Sequence, residues 1–233
     1  MKKEILNKFF TILFAIAIMT MAGCNDPIYD FGYDGRISGK IIDSNNNIVS
    51  GDIKIANFAV NALGELDDVS MVMRIKGDGT YENNRLYPQL YKVWLVGPFV
   101  GGKTDTILVD LTGVKDVIED FQVTPFLSIP APEISGSPTS TKITVNYTIS
   151  GNAGNKPNLR EIYCSTVSWP TRTTGTGAGY FTKMVTVSEA QGTVTISDLS
   201  PGTKYYIRVG ARAAGQNLFN HSEQIVATTP SSN

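Results

Sequence analysis

Histidine is nearly absent from this chain: there is one, His221, in 233 residues. A metal site built from several imidazoles is thereby excluded, and a Ser-His-Asp triad would have to use His221. Cysteine is almost as scarce, with only Cys24 and Cys164. Charged residues make up 18% of the chain and nearly balance. Nucleic-acid binding calls for a clustered basic excess, which is missing. The longest apolar run, Phe9 to Ala22, is about 14 residues and falls short of the roughly 20 needed to cross a hydrocarbon core. The apolar fraction of 42% is nevertheless too high for a disordered chain. No segment shows convincing helical periodicity.

What is present begins at the amino terminus. Lys2 and Lys3 precede the apolar run, and Met21-Ala22-Gly23-Cys24 closes it before polar Asn25-Asp26-Pro27. A basic start and a small-residue exit mark a cleaved export signal. The exit resembles the lipobox of bacterial lipoproteins, in which the cysteine is acylated and becomes the first mature residue. An ordinary secretory signal with an incidental cysteine is the alternative. The resemblance implies lipidation of Cys24 by palmitate-type chains and a membrane partner. Several acyl chains together give lasting attachment where one is marginal. Removing residues 1–23 takes three lysines and one glutamate, leaving 17 basic and 20 acidic side chains, net −3. With Cys24 acylated, Cys164 has no disulfide partner. It lies in the strand-like run Glu161–Val167, where cysteine behaves as a small buried hydrophobe.

The body reads as strands throughout. Alternation predicts them at Arg36–Ile42, Asp52–Phe58, Val69–Ile75, Tyr81–Asn84, Tyr91–Val96, Thr104–Leu111 and Val117–Thr124. Gly77-Asp78-Gly79 is a tight turn, and Asp43-Ser44-Asn45-Asn46-Asn47 a polar hairpin. Prolines 125, 130, 132 and 138 then punctuate the chain. A second series follows at Ile143–Ile149, Arg160–Ser168, Phe181–Ser188, Thr193–Ser197, Tyr205–Ala213 and Gln224–Thr228. The fold class is therefore all-β, with two β-sandwich domains in tandem. The expected organisation is a signal peptide at 1–23, a tether at 24–34, a first sandwich at 35–126, a proline-rich linker at 127–131, a second sandwich at 132–229 and a tail at 230–233. Tyr29, Phe31 and Tyr33 of the tether either stay free or tuck onto the first sandwich.

Leu199-Ser200-Pro201-Gly202-Thr203-Lys204-Tyr205 resembles the L-x-P-G-T-x-Y signature of fibronectin type III domains. In that arrangement the tyrosine hydroxyl reaches back to nearby backbone as a tyrosine corner. Alternation places Tyr205, Ile207 and Val209 on one face of the next strand, with Tyr206, Arg208 and Gly210 on the other. Asn220-His221-Ser222 is expected in a hairpin loop. Ile37–Asp43, Gly77-Asp78-Gly79-Thr80-Tyr81 and Leu86-Tyr87-Pro88-Gln89-Leu90-Tyr91-Lys92-Val93 look like the carboxypeptidase-regulatory, transthyretin-like sandwich. Gln89 stands where that family carries glycine, so the turn before Tyr91 must differ or carry strain. With the lipobox, Gly97-Pro98-Phe99 and Asp120–Pro125, the whole mature chain resembles a two-domain lipoprotein family of Bacteroidetes found beside starch-utilisation-type glycan-uptake systems. The resemblance implies an outer-membrane, lipid-anchored, surface-facing accessory protein that binds carbohydrate or docks on the transporter complex.

No catalytic constellation is legible, and the chain is read as a non-enzyme with no metal or cofactor site. His221 reads as a solvated loop residue. Asp67-Asp68 and Glu119-Asp120 are sequence neighbours, which a strand would point to opposite faces, unlike a glycosidase pair. Asp43–Asn47 starts like a calcium loop but has Ile48 at its sixth position and Lys54 at its twelfth. Gly175–Gly179 lacks the lysine and helix of a phosphate cradle. The candidate ligand platform is Trp169 with Tyr180 and Arg172, beside threonines 171, 173 and 174, because sugar C–H faces stack on aromatic rings. The alternative for Trp169 is a cap on the sandwich core. Trp94 is expected to be structural or to sit at a domain contact. A structural or adhesive surface protein with protein-binding modules is the competing functional reading.

Overall fold

The computed structural model describes residues 32–51, 57–172, 181 and 183–232. These residues are all-β, with no helix among them. The export segment, Cys24, the Gly175–Gly179 loop and Tyr180 lie outside the described residues.

The first sandwich is built from β1 (Gly35–Ile42), β2 (Ala59–Gly64), β3 (Met71–Arg74), β4 (Thr80–Leu86), β5 (Leu90–Val96), β6 (Ile107–Asp110), β7 (Asp116–Ile118) and β8 (Phe121–Gln122). One sheet has the order β4-β1-β7, with β8 also on β1, and the other runs β3-β2-β5-β6. Alternation sends Ile37, Ile41, Val60, Tyr91, Val93 and Leu95 inward to a common core. The second sandwich contains β9 (Leu127–Ser128), β10 (Glu133–Ile134), β11 (Ile143–Thr148), β12 (Ser150–Gly151), β13 (Pro157–Ser165), β14 (Lys183–Thr186), β15 (Gln191–Ile196), β16 (Lys204–Ala213), β17 (Phe219–His221) and β18 (Ile225–Thr228). Its sheets are β10-β11-β15 and β14-β13-β16-β17, with β18 also on β16. A separate core gathers Leu127, Ile143, Val145, Ile162, Cys164, Ile207 and Val209. The first core ends at Val123 and the second begins at Leu127, whose strand pairs with β12.

The tyrosine corner expected at Tyr205 forms, and Tyr91 makes a similar return to backbone. Tyr205 Oη accepts from the Ser200 amide at 2.9 Å, and Tyr91 Oη donates to the Tyr87 carbonyl at 2.9 Å. Gln89 is not among the residues with positive φ, so the turn differs from the glycine form and carries no left-handed strain. Its buried amide instead ties down the β2–β3 connection. Nε2 donates to Asp67 Oδ2 at 3.0 Å, and Oε1 accepts from the Leu66 amide at 2.9 Å. Tyr33 packs edge-on against Tyr87, with ring centroids 6.0 Å apart.

Of the strand expected at Asp52–Phe58, residues 52–56 lie outside the described residues; Asn57 and Phe58 lie in a turn, and the following Ala59–Gly64 pairs with β3 and β5. Two local expectations are corrected. Val69 lies outside β3 and is 77% exposed, because the pairing with β2 begins only at Met71. Asn220-His221 belongs to β17 rather than a loop, since Gly210 and Ala211 of β16 pair with His221 and Asn220.

Candidate functional site

The chemistry-bearing side chains converge on the seam between the two sandwiches. The strand β16 creates it. Tyr205, Ile207 and Val209 enter the core, so Arg208 must leave from the opposite face, where the first sandwich covers it completely at 0% exposure. Nε of Arg208 donates to the Ser222 carbonyl at 2.8 Å, and Nη2 donates to Ser50 Oγ at 2.5 Å and the Gly51 carbonyl at 2.6 Å. Ser50 Oγ in turn donates to the Gly77 carbonyl. A buried charge held by fixed acceptors is costly to disturb. Asn220, also buried, donates from Nδ2 to the Pro98 carbonyl at 2.9 Å and accepts from the Leu127 amide at 3.1 Å. A backbone bridge between Ser50 and His221 completes the seam.

His221 is buried, which corrects the solvated-loop reading. Its Nε2 lies 3.3 Å from Thr171 Oγ1, and its ring neighbours Tyr163 and Phe219. Burial, assisted by the positive charge of Arg208, holds its pKa well below the usual histidine value. The imidazole is neutral near pH 7. The hydrogen-bonding side chain beside Nε2 is a threonine, whereas a Ser-His-Asp triad pairs the imidazole with a serine and a carboxylate. Cys164 is equally enclosed, and burial pushes its thiol up to about 12.

Two of the three residues of the anticipated platform are described. Trp169 is half-buried on the seam, with φ of 58° and its amide donating to Gln224 Oε1 at 2.6 Å. The indole lies against Gly77, where a Cβ would come within 2.1 Å of Cδ2, and Arg208 Cζ sits 5.6 Å from the ring centroid. The indole is wedged between the sandwiches rather than capping the second core, and Tyr180, its expected partner in the platform, lies outside the described residues. Arg172 pairs with buried Glu161, Nη1 to Oε1 at 3.1 Å, and Glu161 also accepts from Tyr163 Oη at 2.7 Å. Trp94 faces outward on β5, half-buried, with Lys103 Nζ 4.9 Å from its ring centroid.

Beside the seam opens a cleft of about 550 Å³, walled by the Asp43–Asn47 hairpin, the Pro125–Ala131 segment, Asn220, His221 and Glu223. The volume falls within the roughly 300–1,000 Å³ of small-ligand clefts. The hairpin is rigid: Asp43 Oδ1 accepts from the Asn45 and Asn47 amides at 2.8 and 2.9 Å, and Oδ2 accepts from Asn47 Nδ2 at 3.0 Å. Burial works to raise the Asp43 pKa, but these bonds hold it below the ordinary carboxylate value. The arrangement offers amides and carboxylates to hydroxyl groups. Among the described residues no cluster of three or more histidine, cysteine, aspartate or glutamate side chains could hold a metal ion. Sequence reasoning missed this cleft, although the run of three asparagines was its visible signal.

No protein-family model and no curated protein matches the chain. Solved structures do. A DUF3823 family protein from Bacteroides ovatus superposes with a TM-score of 0.65 at 19% identity, covering 83% of this chain and 98% of that one. A DUF3823 family protein from Parabacteroides merdae gives 0.66 at 17%, covering 84% and 98%. A candidate carbohydrate-binding protein from Bacteroides uniformis gives 0.62 at 22%, covering 84% and 100%. At these identities the likeness establishes the two-sandwich fold.

Proposed function

We propose that this chain is a non-enzymatic, lipid-anchored accessory protein of an outer-membrane glycan-uptake system, and that it binds carbohydrate in the seam cleft. The observation that carries this reading is the cleft itself, a polar hollow of about 550 Å³ whose walls come from both sandwiches and are fixed by buried hydrogen bonds. Preformed walls reduce the ordering cost of binding. The fold shared with the candidate carbohydrate-binding protein from Bacteroides uniformis supports the same ligand class. Anchoring through Cys24 rests on the lipobox, and surface exposure on the family resemblance. Trp169 shapes the seam through its contacts with Gly77 and Arg208, and Trp169, Tyr180 and Arg172 remain candidate contacts of the ligand.

A glycan-panel binding assay tests the reading. Wild type is expected to retain at least one glycan and Asn45→Ala to lose affinity, whereas no retention by wild type overturns it. Membrane fractionation with Cys24→Ala is expected to release the protein from the membrane; unchanged partitioning overturns the anchor.

Docking on a transporter subunit or a structural partner is the second reading. It is favoured by the outward face of β3-β2-β5-β6, where Val72 is 54% and Leu108 65% exposed beside half-buried Trp94. Exposed apolar surface of this kind marks protein contacts. Co-purification of transporter components that is lost on Leu108→Glu supports that reading.

A further inference from the structure

A second cleft, of about 610 Å³, adjoins the first. The two share a dividing corner. Asp43 lines one and Ser44 the other; Pro125 lines one and Thr124 the other. The corner is braced by Gln122 Nε2, which donates to the Asp43 carbonyl at 3.4 Å, and by the Val123 amide, which donates to the Ile42 carbonyl at 2.9 Å. From there the second cleft extends past Phe121 to Lys103, Thr104 and Asp105. Either hollow alone has room for a small ligand, so a monosaccharide would leave one of them unused.

The charge of the linings narrows the ligand further. Asp43 and Glu223 line the first cleft, with no lysine or arginine. Asp105, Glu119 and Asp120 line the second, against Lys103 alone. Lys40 offsets Asp120 and the hairpin amides cap Asp43, but Glu223, Asp105 and Glu119 still outnumber Lys103, and this excess of carboxylates disfavours an anionic ligand. Carboxylates accept hydrogen bonds well from neutral hydroxyls.

We infer that the two clefts form one binding track for a neutral, linear oligosaccharide that crosses the Asp43–Ser44 corner. This inference rests on the carbohydrate reading above and adds chain length and charge to it. Asn45 serves the seam end of the track and Lys103 the far end.

Isothermal titration of the full-length chain in detergent tests it, with malto- and xylo-oligosaccharides from mono- to hexasaccharide and oligogalacturonides of matching lengths. Affinity for a neutral series is expected to rise about tenfold or more between disaccharide and hexasaccharide, roughly 1.4 kcal/mol. Lys103→Ala is expected to reduce hexasaccharide affinity more than disaccharide affinity and so shrink that gain, while Asn45→Ala weakens every length. Unchanged thermal unfolding of both variants shows that their folds are intact. A plateau already at the disaccharide, or tighter binding of oligogalacturonides, overturns the inference while leaving the carbohydrate reading standing. No binding by any series overturns both.

Discussion

Arg208 in the second sandwich donates to the carbonyl of Gly51 in the first at 2.6 Å, across a sequence separation of 157 residues. The same guanidinium is bonded to Ser222 and Ser50, so the two modules share one buried cation. Arg208→Met strips those acceptors of their donor without opening a large void. Each buried acceptor left unpaired costs about 1–3 kcal/mol. We expect a loss of roughly 3–5 kcal/mol in urea unfolding, within the range for breaking a buried charged network. Wild type is expected to unfold in a single cooperative transition, and the variant in two as the sandwiches uncouple. Unfolding that remains single and shifts by less than about 1 kcal/mol refutes the seam as a coupling element.

Gly77 and Trp169 make a second test. A methyl group at Gly77 would fall 2.1 Å from Cδ2 of the indole, well inside van der Waals contact. Gly77→Ala is expected to destabilise by about 1–3 kcal/mol through overpacking. In a Trp169→Ala background the clash has no partner, so the same substitution should cost less than about 0.5 kcal/mol. Additive losses in the double-mutant cycle would show that the indole does not rest on Gly77.

The Cys164 thiol is enclosed in the second core and held up to about 12 by burial. The thiolate is the reactive species, so native protein should not react with a thiol reagent at pH 8 over the time a model thiol needs for completion. Denaturant should restore full reactivity. Rapid native labelling would contradict the core placement and reopen the residue as a nucleophile.

Architecture was legible in the chain because alternation and corner motifs are local signals. The run Leu199–Tyr205 states its own turn, and the Ser200–Tyr205 bond is its direct result. Strand β2 was not legible: Ala59, Asn61, Ala62 and Gly64 have weak strand propensity and extend because β3 and β5 supply pairing partners on both sides. His221 was misread for the same kind of reason. Asn220-His221-Ser222 looks like a polar loop until Ser50, Pro98 and Thr171 bury it from distant parts of the chain. The seam cleft depends on how two modules meet, which no local pattern encodes.

The buried imidazole also sets a pH dependence. Above about pH 6.5, the ordinary histidine value, His221 is neutral in both folded and unfolded chains and has no effect on the slope. Below it the unfolded chain takes up a proton that the native site refuses, because burial and Arg208 hold the folded pKa down. Stability therefore falls as pH drops from about 6.5 toward the folded pKa, by at most about 1.4 kcal/mol per pH unit for this one group. Carboxylates with lowered values, Asp43 and Glu82 among them, add their own loss only at more acidic pH, below their unfolded values. Urea midpoints measured between pH 8 and pH 5 should show the decline beginning near 6.5 in wild type. In His221→Gln, which keeps a hydrogen-bonding side chain but cannot titrate, that first decline should vanish and the carboxylate limb remain. A wild-type midpoint that stays level down to pH 5 would place His221 in contact with solvent.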